Sequence, residues 1–173
     1  MVKVFDTGLS AEAWVLLDMH QTSHYGVDLD EVNNTEELSV TVAASIVDQL
    51  MNHSMPVGLA ANGDQDHISR PDSSPEQRGR LMETLSEVRA FGQRPLQDFV
   101  YAVCAPINQY NALTVVTSSV DTQWVEPLHY LRRQGVEVSV VLVDRSSFGS
   151  PTNMSAPLES LSANLIPTYL VRQ

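Results

Sequence analysis

Three polar residues at alternate positions, Asp18, His20 and Thr22, follow directly on the apolar run Trp14-Val-Leu-Leu17. Several chemistries could use a carboxylate, an imidazole and a hydroxyl so spaced. Asp18 and His20 could serve a hydrolase from one crevice. His20 and His24, four residues apart, could begin a zinc site. The zinc reading is the weakest, because the pair sits in a loop and His53, His67 and His129 are dispersed.

Other motifs carry less. Asp28-Leu-Asp30-Glu31 looks like a calcium loop but lacks the glycine and the terminal glutamate at the required offsets. It reads as a solvated acidic loop. Gly8-Leu-Ser10 and Gly149-Ser150 are not nucleophile elbows, since no Gly-x-Ser-x-Gly occurs. There is no phosphate loop and no Gly-x-Gly-x-x-Gly, so nucleotide binding has no support. The residue types of a Ser–His–Asp triad are present, as in any chain of this length. No catalytic residue, no metal ligand and no cofactor is assigned from these patterns.

The formal charge is -11, from 21 acids against 10 bases. Phosphate binding needs clustered Lys and Arg, and here the closest groups, Arg78 with Arg80 and Arg132 with Arg133, look like helix surface. Nucleic acid and anionic membranes are therefore disfavoured as partners. Hydrophobic residues make up 43%, which argues against disorder. The 173 residues suit one domain, 1–173. Cys104 is the single cysteine, so no intrachain disulfide can form, and its apolar setting predicts a buried inert thiol. No signal peptide is read at Met1, and no apolar run reaches the roughly 20 residues of a bilayer span. As given, the chain is expected to be soluble.

The positioning elements come next. Apolar or β-branched runs at 13–17, 57–61, 112–117, 136–143 and 166–171 predict strands. A weaker segment at 67–70 predicts an antiparallel edge strand, and Val2-Lys-Val-Phe5 a short edge strand followed by a turn at Asp6-Thr-Gly8. Residues 21–33 read as a long mobile loop. Asn34-Thr-Glu-Glu37 is a capping box ahead of a helical stripe that ends near Asn52. Ser74-Pro75, with Gln77 completing a second box, opens another helix. Further helices are predicted at 96–104, 124–134 and 156–163. Gly135 is expected to be a left-handed cap, and Pro127 fits only a first turn or a kink. Trp14 and Trp124 read as core. Alternating strands and helices give a three-layer α/β/α fold, with a mostly parallel central sheet and one antiparallel edge hairpin. Ligands of such sheets collect at the carboxyl ends of the strands, where Asp18, His20 and Thr22 would stand.

The order of these motifs resembles the von Willebrand factor A domain. The likeness is closer to a bacterial family of unknown function, number fifty-eight, whose C-terminal part is A-domain-like. Its marks are Val15-Leu-Leu-Asp18, Thr35-Glu-Glu-Leu38 leading to Ala43-Ala-Ser-Ile46, Pro56-Val-Gly-Leu59, Arg80-Leu-Met-Glu-Thr-Leu85, Pro95-Leu96, and Arg133-Gln-Gly-Val136 leading to Val141-Leu-Val-Asp144. The resemblance implies the soluble end of a longer bacterial protein, anchored upstream by a membrane hairpin and facing the cytoplasm. It also implies work beside a MoxR-type AAA+ ATPase in assembly or chaperoning.

Metal-binding A domains hold one divalent cation with Asp-x-Ser-x-Ser, a later Thr and a second Asp. Mapped onto this chain, Asp18 matches, His20 replaces the first Ser and Thr22 the second. Arg94 stands at the Thr and Ser118 at the second Asp. A histidine nitrogen is a poor Mg²⁺ ligand, and an arginine repels the ion. The resemblance therefore implies a degenerate metal site, in which either Arg94 substitutes for the cation and pairs with Asp18, or Asp18 merely caps backbone groups in its loop. A non-enzymatic interaction domain is the expected function, with Asp18, His20, Thr22, Arg94 and Ser118 on its contact face. The other readings left open are a metal-dependent hydrolase and a metal-dependent adhesion module using Asp18 and neighbouring loops.

Overall fold

The computed structural model describes residues 10–27 and 33–173. The expected edge strand 2–5, the turn 6–8 and the acids Asp28, Asp30 and Glu31 lie outside these residues. Among the described residues six strands form one sheet: β1 (Glu12–Leu17), β2 (Val57–Asn62), β3 (Asp66–Asp72), β4 (Asn111–Thr117), β5 (Glu137–Val143) and β6 (Thr168–Val171). Their spatial order is β3-β2-β1-β4-β5-β6. Every neighbouring pair is parallel except β2 with β3. Among the described residues five helices cover the sheet: α1 (Thr35–Asn52), α2 (Pro75–Glu87), α3 (Leu96–Val103), α4 (Val125–Arg133) and α5 (Ser155–Ala163).

The four inner strands, β1, β2, β4 and β5, form where the sequence is apolar on both faces, because a parallel sheet with crossover helices is covered twice. In β1 one face (Ala13, Val15, Leu17) packs with Ile46, Val47 and Leu50 of α1 and Leu81 and Leu85 of α2. The other face (Trp14, Leu16) packs with Phe99 and Val100 of α3 and Leu128 and Leu131 of α4. The helix starts follow capping chemistry. The Asn34 side chain accepts from the Glu37 amide at 2.9 Å, and Ser74 Oγ accepts from the Gln77 amide at 3.3 Å. Pro127 sits in the first turn of α4, and Gly135 has φ +92. Trp14 and Trp124 are both buried. Cys104 is only partly buried, and its thiol meets the Tyr101 carbonyl at 3.2 Å.

Gln77 departs from the expected box. Its side-chain Nε2 turns into the sheet and donates to Val57 O at 2.8 Å and Arg70 O at 3.0 Å. The reason is the register irregularity between Val57 and Leu59, where β2 and β3 lose regular pairing. Buried carbonyls at such a break need a donor, and Gln77 supplies it. The loop after β1 is also less free than expected. Over its described part it turns through a 3-10 segment, Gln21–Ser23, and buries Ser23 and His24.

Gly92 leaves the least room for a side chain among the described glycines compared. A Cβ there would lie 1.9 Å from Asn62 O and 2.9 Å from Met19 O. Both are backbone atoms at strand ends, so the clash has no side chain to yield. Gly79, by contrast, is exposed within α2, with nothing within 4 Å of an added Cβ. Gly92→Ala should therefore destabilise by about 3 kcal/mol or more, and Gly79→Ala should stabilise by up to about 1 kcal/mol. Urea denaturation of the two variants beside the parent measures both.

Candidate functional site

Three adjacent strands end in polar residues at one level. Leu17 of β1 pairs in register with Ala61 of β2 and Val116 of β4. The next residues, Asn62, Asp18 and Thr117, therefore line up side by side at the carboxyl edge of the sheet. All three are fully buried. The centre of this row is the Asp18 carboxylate, which takes four donors. The His20 amide and Asn62 Nδ2 donate to Oδ1 at 3.0 and 3.3 Å. Ser23 Oγ and Thr117 Oγ1 donate to Oδ2 at 2.6 and 2.7 Å. A carboxylate offers about four lone-pair positions, and here each has a neutral donor.

Asn62 holds more than Asp18. Its Oδ1 accepts from the Met19 amide at 2.6 Å, and its Nδ2 also donates to the Arg94 carbonyl at 3.0 Å. One amide side chain thus ties the end of β1 to the loop between α2 and α3. That loop is fixed at further points. Gly92 donates to Met19 O and accepts from the Gln21 amide. Glu36, buried at the start of α1, accepts from the Ala90 amide and the Arg89 guanidinium, each at 2.8 Å.

His24 fixes the other side. Its Nε2 donates to the Asp18 carbonyl at 2.7 Å, so Nδ1 is the acceptor facing Thr35 Oγ1 at 3.0 Å. Burial pulls its pKa below the ordinary 6.5, against the smaller opposing pull of Asp18. The Arg145 guanidinium lies over this loop, with its Nη atoms 3.4 and 3.5 Å from the carbonyls of His24 and Thr22. Asp144, beside it, caps the following turn. Burial raises its pKa, but the Ser146 hydroxyl and amide and Arg172 outweigh that and hold it low.

The five residues singled out in the sequence separate here. Asp18 is central. Thr22 is exposed, with its hydroxyl 2.8 Å from Nδ1 of His20, so both side chains belong to the rim, and only the backbone amide of His20 reaches the carboxylate. The 3-10 turn carries Ser23 inward in place of Thr22. Ser118 is turned away and donates to Val143 O at 2.9 Å, while its neighbour Thr117 reaches Asp18. Arg94 does not pair with Asp18. Its guanidinium lies 3.2 Å from Asp66 at the β3 edge, leaving Asp18 to neutral donors. Burying the guanidinium would have required full desolvation of a permanent charge; at the edge it stays 47% exposed. Asn62, Ser23 and Thr117 were missed. Their signal was positional: Asn62 and Thr117 are polar residues that close apolar strands, as Asp18 does.

The residues present do not fit a divalent ion. The lone pairs of Asp18 are taken by four donors, Asn62 presents its N–H rather than its oxygen to the carboxylate, and the His20 side chain offers nitrogen. Among the described residues no three His, Cys, Asp or Glu side chains are grouped to hold a metal.

No family model matches the chain, and no curated protein matches it in sequence. Solved structures do match. BatB, a conserved hypothetical protein from Bacteroides thetaiotaomicron, superposes with TM-score 0.64 at 12% identity, over 95% of this chain and 91% of that one. An aerotolerance-related membrane protein from Bacteroides fragilis gives 0.61 at 12%, over 95% and 92%. The pilus adhesin SpaC from Lactobacillus rhamnosus GG gives 0.63 at 9%, over 96% of this chain and 28% of that one. The fold is von Willebrand factor A-like. Identities this low show the fold alone, and no family model carries the narrower likeness to family fifty-eight.

Asp18→Ala would strand four donors in a buried place and should cost about 3–5 kcal/mol in urea denaturation. Asp18→Asn keeps one acceptor oxygen and should cost less. His24 gives a pH dependence. Because its folded pKa lies below its unfolded value, the unfolded chain takes up the proton first. Stability should be full above about 6.5 and fall as pH drops below it, down to the folded pKa. Thermal melts between neutral and mildly acidic pH should show that decline, and His24→Gln should flatten it.

Proposed function

We propose that this chain is a non-enzymatic protein-interaction domain whose contact face is the carboxyl edge of the sheet, over a metal site that has become structural. The observation that supports it most is the Asp18 carboxylate, satisfied by neutral groups of the chain itself. A group so committed has no lone pair left for a cation or a substrate proton. This commitment of Asp18 supports an interaction face over a hydrolase base or an adhesion ligand at the same residue.

What the rim offers is surface. Phe91 is 54% exposed, with the Arg89 guanidinium 5.8 Å from its ring centroid. It separates two clefts. One, of about 580 Å³, is lined by Thr22, His24, Tyr25, Val27 and Ala90. The other, of about 460 Å³, is lined by Asp64, Gln65, Gln93 and Arg94. An exposed aromatic on a fixed backbone, flanked by concave surface, suits an anchor for a partner protein. The acids of the neighbouring sequence, Asp28 and Asp30, add attraction for a basic partner.

The partner we infer is a MoxR-type AAA+ ATPase, in assembly or chaperoning, with this chain the soluble, cytoplasm-facing part of a longer membrane-anchored protein. The resemblance seen in the sequence supports that, as does the structural likeness to an aerotolerance-related membrane protein. Among the described residues no helix is long and apolar enough to cross a membrane.

Two measurements test the reading together. Calorimetry with MgCl2 should give no specific binding heat. Capture of the neighbouring MoxR-type ATPase should succeed with the parent chain and drop at least about tenfold with Phe91→Ser or with Asp28→Lys and Asp30→Lys combined. Tight Mg²⁺ binding, or capture indifferent to all these changes, would overturn it.

A further inference from the structure

The far edge of the sheet from β6 is a second surface, which meets the rim at Asp66, a residue that also lines the cleft beside Arg94. β3 is an edge strand, so every second residue turns its N–H and C=O away from the sheet. Its two faces are unlike. His67 and Ser69 are half-buried on the side of α2, whereas Asp66, Ile68 and Arg70 are exposed on the other. Ile68 pairs in register with Ala60, whose side packs with α3, but it is itself 51% exposed. An exposed branched aliphatic on an open edge strand is what edge strands normally avoid. The blocking residue, Pro71, comes only after it.

The order of side chains on that face is self-complementary. Ile68 lies midway between Asp66 and Arg70. Arg70 has no ion pair among the described residues. If a second copy is laid antiparallel along β3 with a two-fold axis at Ile68, Asp66 of each copy stands opposite Arg70 of the other. Ile68 then stands opposite Ile68, and His67 opposite Ser69. Directly opposed side chains on paired strands are neighbours, close enough for contact and for ion pairs. Asp66 keeps room for this, because a carboxylate can accept from Arg94 and from a second guanidinium.

Other registers are worse. A slip of two residues one way sets Asp66 against Asp72 of the second copy. The opposite slip sets Asp66 against Ile68. A slip of one residue turns the α2-covered face of one copy toward the open face of the other.

We infer that β3 is a homodimer seam, in which two copies join their sheets antiparallel through residues 66–70 about a two-fold axis at Ile68. The contact is isologous and closes on itself, so it gives dimers rather than fibres. Five residues of edge are short against a standard interface, so the association is weak and depends on concentration.

Sedimentation velocity of the full chain over a concentration series tests this. The parent should shift from monomer to dimer as concentration rises. Ile68→Lys, at an exposed position that leaves the core untouched, should weaken the dimer at least about tenfold. Asp66→Arg and Arg70→Asp should each abolish self-association, because each sets like charges opposite one another twice. Mixed in equal amounts, those two variants should associate again. One then carries only bases at positions 66 and 70 and the other only acids, so both opposed pairs across the seam join opposite charges. Thermal melts check that each variant is folded. A parent that stays monomeric throughout overturns the proposal. So does a dimer unchanged by Ile68→Lys, or a mixture of the two charge variants that remains monomeric.

Discussion

A carboxylate removed from water must be compensated, and the arrangement around Asp18 follows from that requirement. The usual compensation is a cation, by ion or by side chain. Here it comes from one amide N–H of the backbone, one carboxamide and two hydroxyls. Neutral donors lose less on desolvation than a guanidinium or ammonium does, so four of them can satisfy a buried charge without burying a second one. The geometry this requires is strict. The donors come from β2, β4 and the turn after β1, and all must arrive together.

That convergence makes the rim stiff. Asn62 bonds to both sides of the gap between β1 and the loop that follows α2, and Gly92 lets the two backbones close on each other. Glu36 then grips the same loop from α1, so a helix start, two strand ends and a loop share one network. Removing any member leaves buried groups unpaired rather than merely losing one bond. Arg145 and His24 extend the network to the loop after β5.

Most of the fold was legible because each element announces itself locally. Four buried strands and the edge strand β6 were apolar runs, two helix starts carried Asn34 and Ser74 with the expected caps, and Gly135 marked a left-handed turn. The site was legible only to the nearest residue. Asp18 was placed by its position after an apolar run, but Ser23 rather than Thr22, and Thr117 rather than Ser118, turned inward. A shift of one residue reverses which way a side chain points, and no local propensity decides it in a loop or at a strand end. Arg94 and Gln77 show the same limit. Each has several partners within reach, and tertiary geometry chose Asp66 for one and the β2–β3 irregularity for the other.

A cation site and a completed hydrogen-bond network differ in how they can recognise a partner. An ion with an open position takes the partner's carboxylate as a ligand, and the site itself changes when it binds. The network at Asp18 is full without a partner. Any recognition at this edge must then rest on side chains outside it, on Phe91 and the two clefts beside it, over a backbone that stays put. Such an interface gains from preorganisation, since little ordering cost remains when the partner arrives. Under the function proposed, a carboxylate held by Asn62 and two hydroxyls makes a fixed contact face rather than one switched by an ion. A fixed rim fits a domain whose task is to hold a partner steadily, and leaves any change of state to that partner.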